Sequence, residues 1–263
     1  MDAKYRFGAF LFIFLIMISW EYFNPRRKND PQRLTRWPVN LGLMVLGSIL
    51  VRITVGGIVF KCALIASENN IGLLNWIDLS GTTGTVITLI LLDLIIYGQH
   101  VASHKVPMIW KLHQVHHTDL VYDTTTGVRF HPLEIFFSLI VKVVAVFLIG
   151  ADPVAVIIFE VTLNVCAVFN HGNVKLPLAV DEQLRKILVT PDMHRVHHSI
   201  YRNETDSNYG FSISIWDRIF GTYIDQPQDG HFEMKIGLPY AREIEDGEFQ
   251  KVLMLPFKKN LSS

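Results

Sequence analysis

The sequence contains few charged residues and no excess of either sign. Lys, Arg, Asp and Glu make up 18% of its 263 residues, and the formal net charge is zero. Soluble proteins usually carry about 25% charged residues. A balanced chain without an arginine-rich arm or a strip of basic and aromatic residues argues against a nucleic-acid partner. Because half of the residues are apolar, the composition indicates a membrane protein.

Cysteine is scarce, and the common zinc motifs are missing. The two cysteines, Cys62 and Cys166, both lie in apolar runs, where we interpret them as small core residues. They form no CxxC motif and no disulfide framework. The HExxH motif of zinc hydrolases is also absent, because Gln114 and Arg195 stand where that motif needs glutamate.

Long apolar runs are abundant, and each is bounded by polar or glycine-rich sequence. A helix of about 20 residues crosses the hydrocarbon core of a bilayer. The first run lacks a small-residue cleavage site, so we interpret it as an uncleaved span rather than a signal peptide. The sequence predicts an all-α integral membrane helical bundle of about four or five apolar helices with a cytoplasmic helical cap. The runs cover residues 7–20, 39–65, 85–98, 135–149 and 153–169.

The distribution of basic residues predicts the orientation. Five Lys or Arg residues lie between Pro25 and Trp37, whereas residues 67–84 contain none. Cytoplasmic loops are enriched in these residues, so both histidine-rich segments described below are expected on the cytoplasmic side of an inner or cell membrane. We expect a short helix near residues 73–76, a helical hairpin turning at residues 150–152, and a helix that continues from the 85–98 run into His100 and His104.

Four charges interrupt the apolar runs. Charges at membrane depth normally pair or face a cavity, so we expect pairing across helices, with Arg52 and Asp93 as the first candidate pair. Lys142 and Glu160 are the other two charges. For Lys142 the alternative is that its long stem snorkels to the interface.

Eight of the eleven histidines follow a regular pattern. His113–His117 and His194–His198 are HxxHH boxes, and His100 and His104 stand four residues apart. Residues at i, i+3 and i+4 share one helix face, so each box is expected to direct three imidazoles to a common point. Histidine-only sites suit Zn, Cu, Fe or Ni. One zinc takes about three or four protein ligands, so eight or more histidines predict two metals with four or five ligands each.

Several motifs together resemble the fatty acid hydroxylase/sterol desaturase superfamily of integral membrane di-iron proteins. The likeness covers about residues 85–225 and leaves 1–84 as N-terminal spans and loops and 226–263 as a C-terminal cytoplasmic tail. The motifs that carry it are His100–His104, His113–His117, Arg129–Glu134, Phe169–Asn173, Pro191–His198, Asn208–Gly210 and Trp216–Thr222.

The resemblance implies two iron ions, for which zinc can substitute in purified protein. It also implies O2 as co-substrate, an external electron-transfer partner protein and a lipid substrate in the membrane. It assigns metal ligation to eight histidines, namely His100, His104, His113, His116, His117, His194, His197 and His198. His171 is expected as a further ligand. The family's second histidine is missing at Lys175, which leaves one place to Asn170, water or His131, and a structural role for His131 is an equal alternative.

Carboxylates are expected to accept hydrogen bonds from the outer ring nitrogens of ligating histidines. The candidates are Asp119, Asp192, Asp217, Glu134 and Glu160. Asp192 comes first because it precedes a box by two residues, and a helix-terminal role is its alternative. We therefore name Asp192 and Asn170 as the candidate catalytic residues, while His231 is expected at the solvated surface.

The predicted function is O2-dependent hydroxylation or desaturation of a fatty acyl or sterol-like lipid. Both reactions begin with hydrogen abstraction, so the choice between them stays open at this point. Two alternatives remain, a membrane zinc-dependent hydrolase and a non-enzymatic membrane protein that binds a metal or haem.

Overall fold

A computed structural model of the chain describes residues 2–28, 32–55, 57–243 and 247–258. Within these ranges the structure is all-α, and β-pairing is limited to three isolated bridges. The helices are α1 (Asp2–Phe23), α2 (Arg33–Val55), α3 (Ile58–Glu68), α4 (Leu73–Trp76), α5 (Gly81–Lys105), α6 (Pro107–His117), α7 (Pro132–Ile149), α8 (Pro153–Asn170), α9 (Leu178–Leu184), α10 (Pro191–His197), α11 (Arg202–Thr205), α12 (Ile215–Ile219), α13 (Gly230–Glu233) and α14 (Phe249–Met254). Two 3₁₀ turns, Thr126–Val128 and Leu255–Phe257, complete them.

The long helices form a membrane bundle. In the described part of the chain, four segments are long and apolar enough to cross a membrane, and α1 adds the shorter apolar helix Phe7–Phe23. The four are Arg33–Arg52, Gly81–Lys105, Pro132–Ile149 and Pro153–Asn170. The prediction of an all-α membrane helical bundle is confirmed, and the protein crosses the membrane several times.

Three local predictions are confirmed and one is wrong. The expected short helix is α4, the hairpin turns between α7 and α8, and α5 runs past its apolar part to Lys105. The single span predicted for residues 39–65 is instead two helices, α2 and α3. Gly57 ends the continuity because its φ of +75° is left-handed, a conformation that glycine adopts without steric cost.

The turn between α7 and α8 packs against the loop before α4. Gly150 adopts φ +71° after α7, and the side chain of Asp152 accepts a hydrogen bond from the Ala155 amide at 2.8 Å to begin α8. A Cβ on Gly72 would lie 2.2 Å from the Gly150 nitrogen. This contact closes the end of the bundle opposite the histidines.

The cores join distant parts of the chain. The largest cluster of buried apolar residues includes Ala63, Ile96, Val146 and Phe159 from four helices. Another joins α2, α6 and α14 through residues such as Leu43, Val115 and Val252. Residues from the predicted ranges 1–84, 85–225 and 226–263 therefore pack together. The boundaries of these ranges stay predictions.

The charges within the apolar runs are arranged differently from the first expectation. Asp93 is buried and accepts hydrogen bonds from the Trp216 indole at 2.8 Å and the Ile213 amide at 3.3 Å. Arg52 is exposed, and the predicted Arg52–Asp93 pair is wrong because Trp216 of α12 and the preceding Ile213 supply the donors. Pairing across helices is confirmed for Lys142 and Glu160, whose Nζ and Oε1 are 3.5 Å apart.

One end of the bundle collects the polar side chains. The C-terminal ends of α1, α5 and α8 and the N-terminal ends of α2 and α7 all meet the segment 118–131 or the histidines beside it. Glu21 at the end of α1 accepts hydrogen bonds from the Thr124 amide and hydroxyl, and Arg36 at the start of α2 donates to Asp119. The alternating directions of the spans therefore place every histidine box at the same end.

Candidate metal centre

Nine histidines form two adjacent clusters at this end. All nine are at most 8% exposed. Within each cluster, one nitrogen of every imidazole lies within 4.8 Å of one nitrogen of every other. Cluster A contains His100, His104, His113, His117 and His197, and cluster B contains His116, His171, His194 and His198.

Each HxxHH box contributes to both clusters. His113 and His117 of the first box belong to cluster A, and His116 belongs to cluster B. The second box divides the other way, with His197 in cluster A and His194 and His198 in cluster B. The expectation that a box directs all three imidazoles to one point is wrong, because α6 and α10 lie between the two clusters. The geometry does provide the predicted two groups of four or five imidazoles.

The nitrogen geometry fits a metal ion in each cluster. The Nε2 atoms of His116 and His171 are 3.0 Å apart, and those of His171 and His194 are 3.1 Å apart. Two nitrogens bound at right angles to one ion at about 2.1 Å stand about 3.0 Å apart. In cluster A the His100 and His113 Nε2 atoms are 3.2 Å apart.

Hydrogen bonds from the Nδ1 atoms fix the tautomer of these imidazoles. His116 donates from Nδ1 to the Arg129 carbonyl at 3.2 Å, and His171 donates from Nδ1 to the Ala167 carbonyl at 2.7 Å. In a neutral ring each Nε2 is then a bare lone pair. Two lone pairs at 3.0 Å repel unless a cation lies between them. The same reasoning holds for His100, whose Nδ1 donates to the Tyr209 carbonyl at 2.7 Å.

Burial keeps the imidazoles outside the spans neutral, which is the form that binds metal. It lowers the pKa of His171 to about 4 and that of His197 to about 3. Burial, followed by the neighbouring imidazoles, also holds the pKa of His117 and His198 well below the usual range. His117 Nε2 and both ring nitrogens of His198 are buried without a hydrogen-bond partner among the described residues, as expected of atoms that bind an ion.

Backbone carbonyls and the carboxylate of Glu134 accept hydrogen bonds from the outer ring nitrogens, and a second carboxylate, that of Asp206, lies close to another ring. Glu134 Oε1 accepts from His113 Nδ1 at 2.5 Å, which is the role we predicted for a carboxylate in this position. Asp206 Oδ1 lies 3.4 Å from His104 Nδ1, and the Ser207 carbonyl accepts from His197 Nδ1 at 2.7 Å. Sequence reasoning missed Asp206. It also missed the carbonyl acceptors, which no side-chain pattern reveals.

A buried polar network holds the segment that follows the first box. Asp119 accepts from Arg36 Nε at 2.6 Å and from Asn40 Nδ2 at 3.0 Å. Burial opposes ionisation of Asp119, but the Arg36 guanidinium outweighs it and lowers the pKa of this carboxyl to about 2. Arg129, also fully buried, donates to the Val115 carbonyl and to Asn40 Oδ1. The residues that flank the first box, Asp119 and Arg129, are therefore both hydrogen-bonded to side chains of α2.

Asp192 has arginine partners in place of the expected histidine. It lies in the first turn of α10, where Thr190 caps the helix, so the helix-terminal alternative is confirmed. Its carboxylate pairs with Arg195 and, at 3.0 Å, with Arg26 Nη2. Two guanidinium groups compete for a carboxylate more strongly than a neutral imidazole does. Among the contacts of the described residues, none joins Asp192 to a cluster histidine.

Asn170, the other candidate catalytic residue, ends α8 immediately before His171. Its Nδ2 donates to the Phe211 carbonyl at 2.5 Å, and its backbone carbonyl accepts from the Tyr122 hydroxyl. Asn170 Oδ1 is buried without a hydrogen-bond partner among the described residues. The amide oxygen is thus available to a ligand.

The two remaining histidines lie outside both clusters. His131 caps α7, where its Nδ1 accepts from the Leu133 amide and its Nε2 donates to the Leu253 carbonyl. Both nitrogens are thus engaged, which favours the structural alternative for His131. The surface position expected for His231 is wrong, because this side chain is 5% exposed and its Nε2 lies 3.7 Å from Asp192 Oδ2.

Comparisons with known proteins agree with this centre. A family model described as fatty acid hydroxylase matches residues 85–222, just over half of the chain, and this range contains all nine cluster histidines. Ornithine lipid hydroxylase OlsE of Rhizobium tropici is 30% identical over 153 residues, 57% of this chain and 45% of that protein. Human alkylglycerol monooxygenase is 32% identical over 132 residues, 48% of this chain and 27% of that protein.

Human lathosterol oxidase is 24% identical over 157 residues, 59% of this chain and 49% of that protein. Each of these matches spans less than half of the relative's length, and no solved structure gives a significant match. The family model and the relatives confirm the resemblance drawn from the motifs. The chain belongs to the fatty acid hydroxylase family.

Proposed function

We propose that the protein is an O2-dependent di-iron oxidoreductase that hydroxylates or desaturates a lipid in the membrane. The observation that carries the proposal is the pair of buried all-imidazole clusters, five and four histidines, at one end of a membrane bundle. The relatives named as a lipid hydroxylase, a monooxygenase and a sterol oxidase support the lipid class. The boxes would face the cytoplasm, as the basic residues between α1 and α2 indicate.

The nine cluster histidines would hold the two ions, with Asn170 Oδ1 or water as a further ligand in cluster B. When bound, the ions supply the activation of O2 that cleavage of a C–H bond requires. Electrons come from an external partner protein. The chain contributes the rest of the centre: Glu134 and the carbonyls of Arg129, Ala167, Ser207 and Tyr209 hold the ring nitrogens in place, and burial excludes water.

Metal content tests the proposal. Protein purified without oxygen should contain about two iron ions per chain, or two zinc ions where zinc has replaced them. A single tightly held zinc ion would contradict it and favour the hydrolase alternative. His171→Ala should lose metal from cluster B, whereas His131→Ala should keep both ions because His131 lies outside the clusters.

The reaction itself needs a separate measurement. Lipids from cells that produce the protein should contain a hydroxyl group or a double bond that is missing in cells producing His113→Ala. An unchanged lipid profile in the presence of two bound irons and a supplied electron donor would contradict the proposed activity.

A further inference from the structure

An exposed apolar surface lies on the cap, outside the apolar runs of the sequence. It consists of Ile187, Leu188, Ile215, Ile219 and Phe220, all of which are exposed. These residues are contiguous, because Leu188 pairs with Ile213 in an isolated bridge and the Ser214 amide donates to the Ile187 carbonyl at 2.9 Å. We call this surface the apolar ledge.

The ledge lies at the depth of the membrane. Asp93, in the apolar part of the α5 span, accepts hydrogen bonds from Trp216 of α12 and from the Ile213 amide. Asp93 precedes His100 by seven residues, about 10 Å along the helix. Ile213 and Trp216 therefore contact α5 within its apolar part, and the stacking of Phe220 on Tyr97 keeps the ledge beside the same helix.

Arg218, a charge on the helix that carries part of the ledge, is compatible with this depth. Arg218 is exposed on α12, and its guanidinium lies over the Tyr223 ring at 3.9 Å. A long arginine side chain that ends on an aromatic ring is typical of the membrane interface, because the stem stays in the apolar region while the charge reaches polar groups.

A line of aromatic rings leads from the ledge to cluster A. The exposed Phe220 stacks on the buried Tyr97, with ring centroids 5.3 Å apart. Tyr97 contacts the fully buried Tyr209 edge-to-face at 6.4 Å. The Tyr209 ring lies 5.2 Å from that of His104 and 5.6 Å from that of His100.

The Tyr97 side chain is held in place between Phe220 and Tyr209. Its hydroxyl is hydrogen-bonded to Thr222 Oγ1 at 2.9 Å, which ties α5 to the chain that follows α12. Thr222 in turn donates to Asp217 Oδ1 at 2.7 Å. Movement of the Tyr97 ring would open the lipid-facing surface to the Tyr209 ring, which lies beside His100 and His104.

We propose that the apolar ledge is immersed in the lipid leaflet and that the lipid substrate reaches cluster A through the seam between α5 and segment 209–222, which Tyr97 closes. The proposal rests on the proposed function only in taking the substrate as a lipid. The position of the ledge beside the apolar part of a membrane span favours lipid over a protein partner as the occupant of the ledge.

Immersion of the ledge is tested by fluorescence quenching in nanodiscs that contain nitroxide-labelled lipids. A bimane label would be placed at Ile219→Cys in a chain carrying Cys62→Ala and Cys166→Ala. Ile90→Cys on α5 is the lipid-facing reference, and Gln226→Cys in an exposed polar loop is the aqueous one. Quenching at Ile219 comparable to that at Ile90 supports immersion, and quenching as weak as that at Gln226 overturns it.

Passage through the seam is tested with a phosphatidylcholine that carries a photoreactive diazirine on its acyl chain. Crosslinks are mapped by mass spectrometry. Tyr97→Phe removes the bond to Thr222, so labelling around Tyr209 should rise by about fivefold, the factor expected for loss of one intramolecular hydrogen bond. Tyr122→Phe, which removes a buried tyrosine hydroxyl beside cluster B, is the matched control and should leave this labelling unchanged.

Labelling of Phe220 in every variant shows that the ledge has kept its structure. If Phe220 is labelled but the region of Tyr209 stays unlabelled in Tyr97→Phe, the seam is not the route and the proposal is overturned. The crosslinking needs neither metal nor O2. It therefore tests the route separately from the reaction. Labelling around Tyr209 in a protein that leaves its lipids unoxidised, even with two bound irons and a supplied electron donor, would contradict the proposed function and leave the route intact.

Discussion

The hydrogen bond between Glu134 and His113 provides a graded test of cluster A. Glu134 Oε1 lies 2.5 Å from His113 Nδ1, and both residues are at most 5% exposed. Glu134→Gln keeps an oxygen acceptor but removes the charge, whereas Glu134→Leu removes both. Loss of such a partner typically weakens metal binding 10- to 100-fold, about 1.4 to 2.7 kcal/mol. We expect the glutamine variant near the lower value and the leucine variant near the upper one.

The assay is metal retention against a competing chelator, with elemental analysis at each step. Only one of the two ions should be released more readily in the Glu134 variants, because cluster B contains neither Glu134 nor His113. Glu160→Gln is the control, since this carboxylate pairs with Lys142 away from the histidines. Unchanged affinity in Glu134→Leu, or equal loss of both ions, would refute the reasoning.

Three further predictions concern stability. Asp119→Asn weakens the buried pair with Arg36 and should cost about 3–5 kcal/mol; a fall in thermal stability equivalent to less than 1 kcal/mol would contradict this. Burial lowers the pKa of His231 from 6.5 to about 4. As the pH falls, His231 is therefore protonated in the unfolded chain before it is protonated in the folded one. The free energy of unfolding should drop between pH 6.5 and 4 by up to about 3 kcal/mol. His231→Gln should remove this part of the pH dependence, as measured by unfolding at several pH values, and a parallel profile for both chains would argue against it. Lys142→Met removes the ion pair between Lys142 and Glu160 across α7 and α8 and should lower the unfolding temperature in detergent. Lys142→Met combined with Glu160→Leu should recover part of this loss.

The sequence was sufficient for the parts of the fold that follow from hydrophobicity. The apolar runs predicted the hairpin of α7 and α8 and the extension of α5, because apolar length sets where a helix can cross a membrane. It was not sufficient at Gly57, since an apolar run that contains glycine fits one span as well as two helices. The Arg52–Asp93 pair failed for a related reason: the donors to Asp93 are Ile213 and Trp216, more than a hundred residues further along the chain.

The candidate site, too, could be predicted from the sequence only in part. The spacing of the boxes indicated two metals, because the number of imidazoles exceeds what one ion needs. The spacing could not show that His116 and His117 belong to different clusters. Adjacent residues of a helix point about 100° apart, and the positions of α5 and α8 decide which histidines they meet. Carbonyl acceptors such as that of Tyr209 are invisible in the sequence, because every residue has one.

The division of each box between two clusters has a consequence for assembly. Each ion would act as a cross-link between segments far apart in the chain, since α6 and α10 contribute to both clusters. Closing such long loops restricts the unfolded chain, and the free energy of metal binding becomes folding free energy. After release of one ion, α6 and α10 would still be held together by the other, because each of them keeps a ligand in the second cluster. Protein synthesised without metal should accordingly keep its membrane helices but expose α10 and the following segments to proteases.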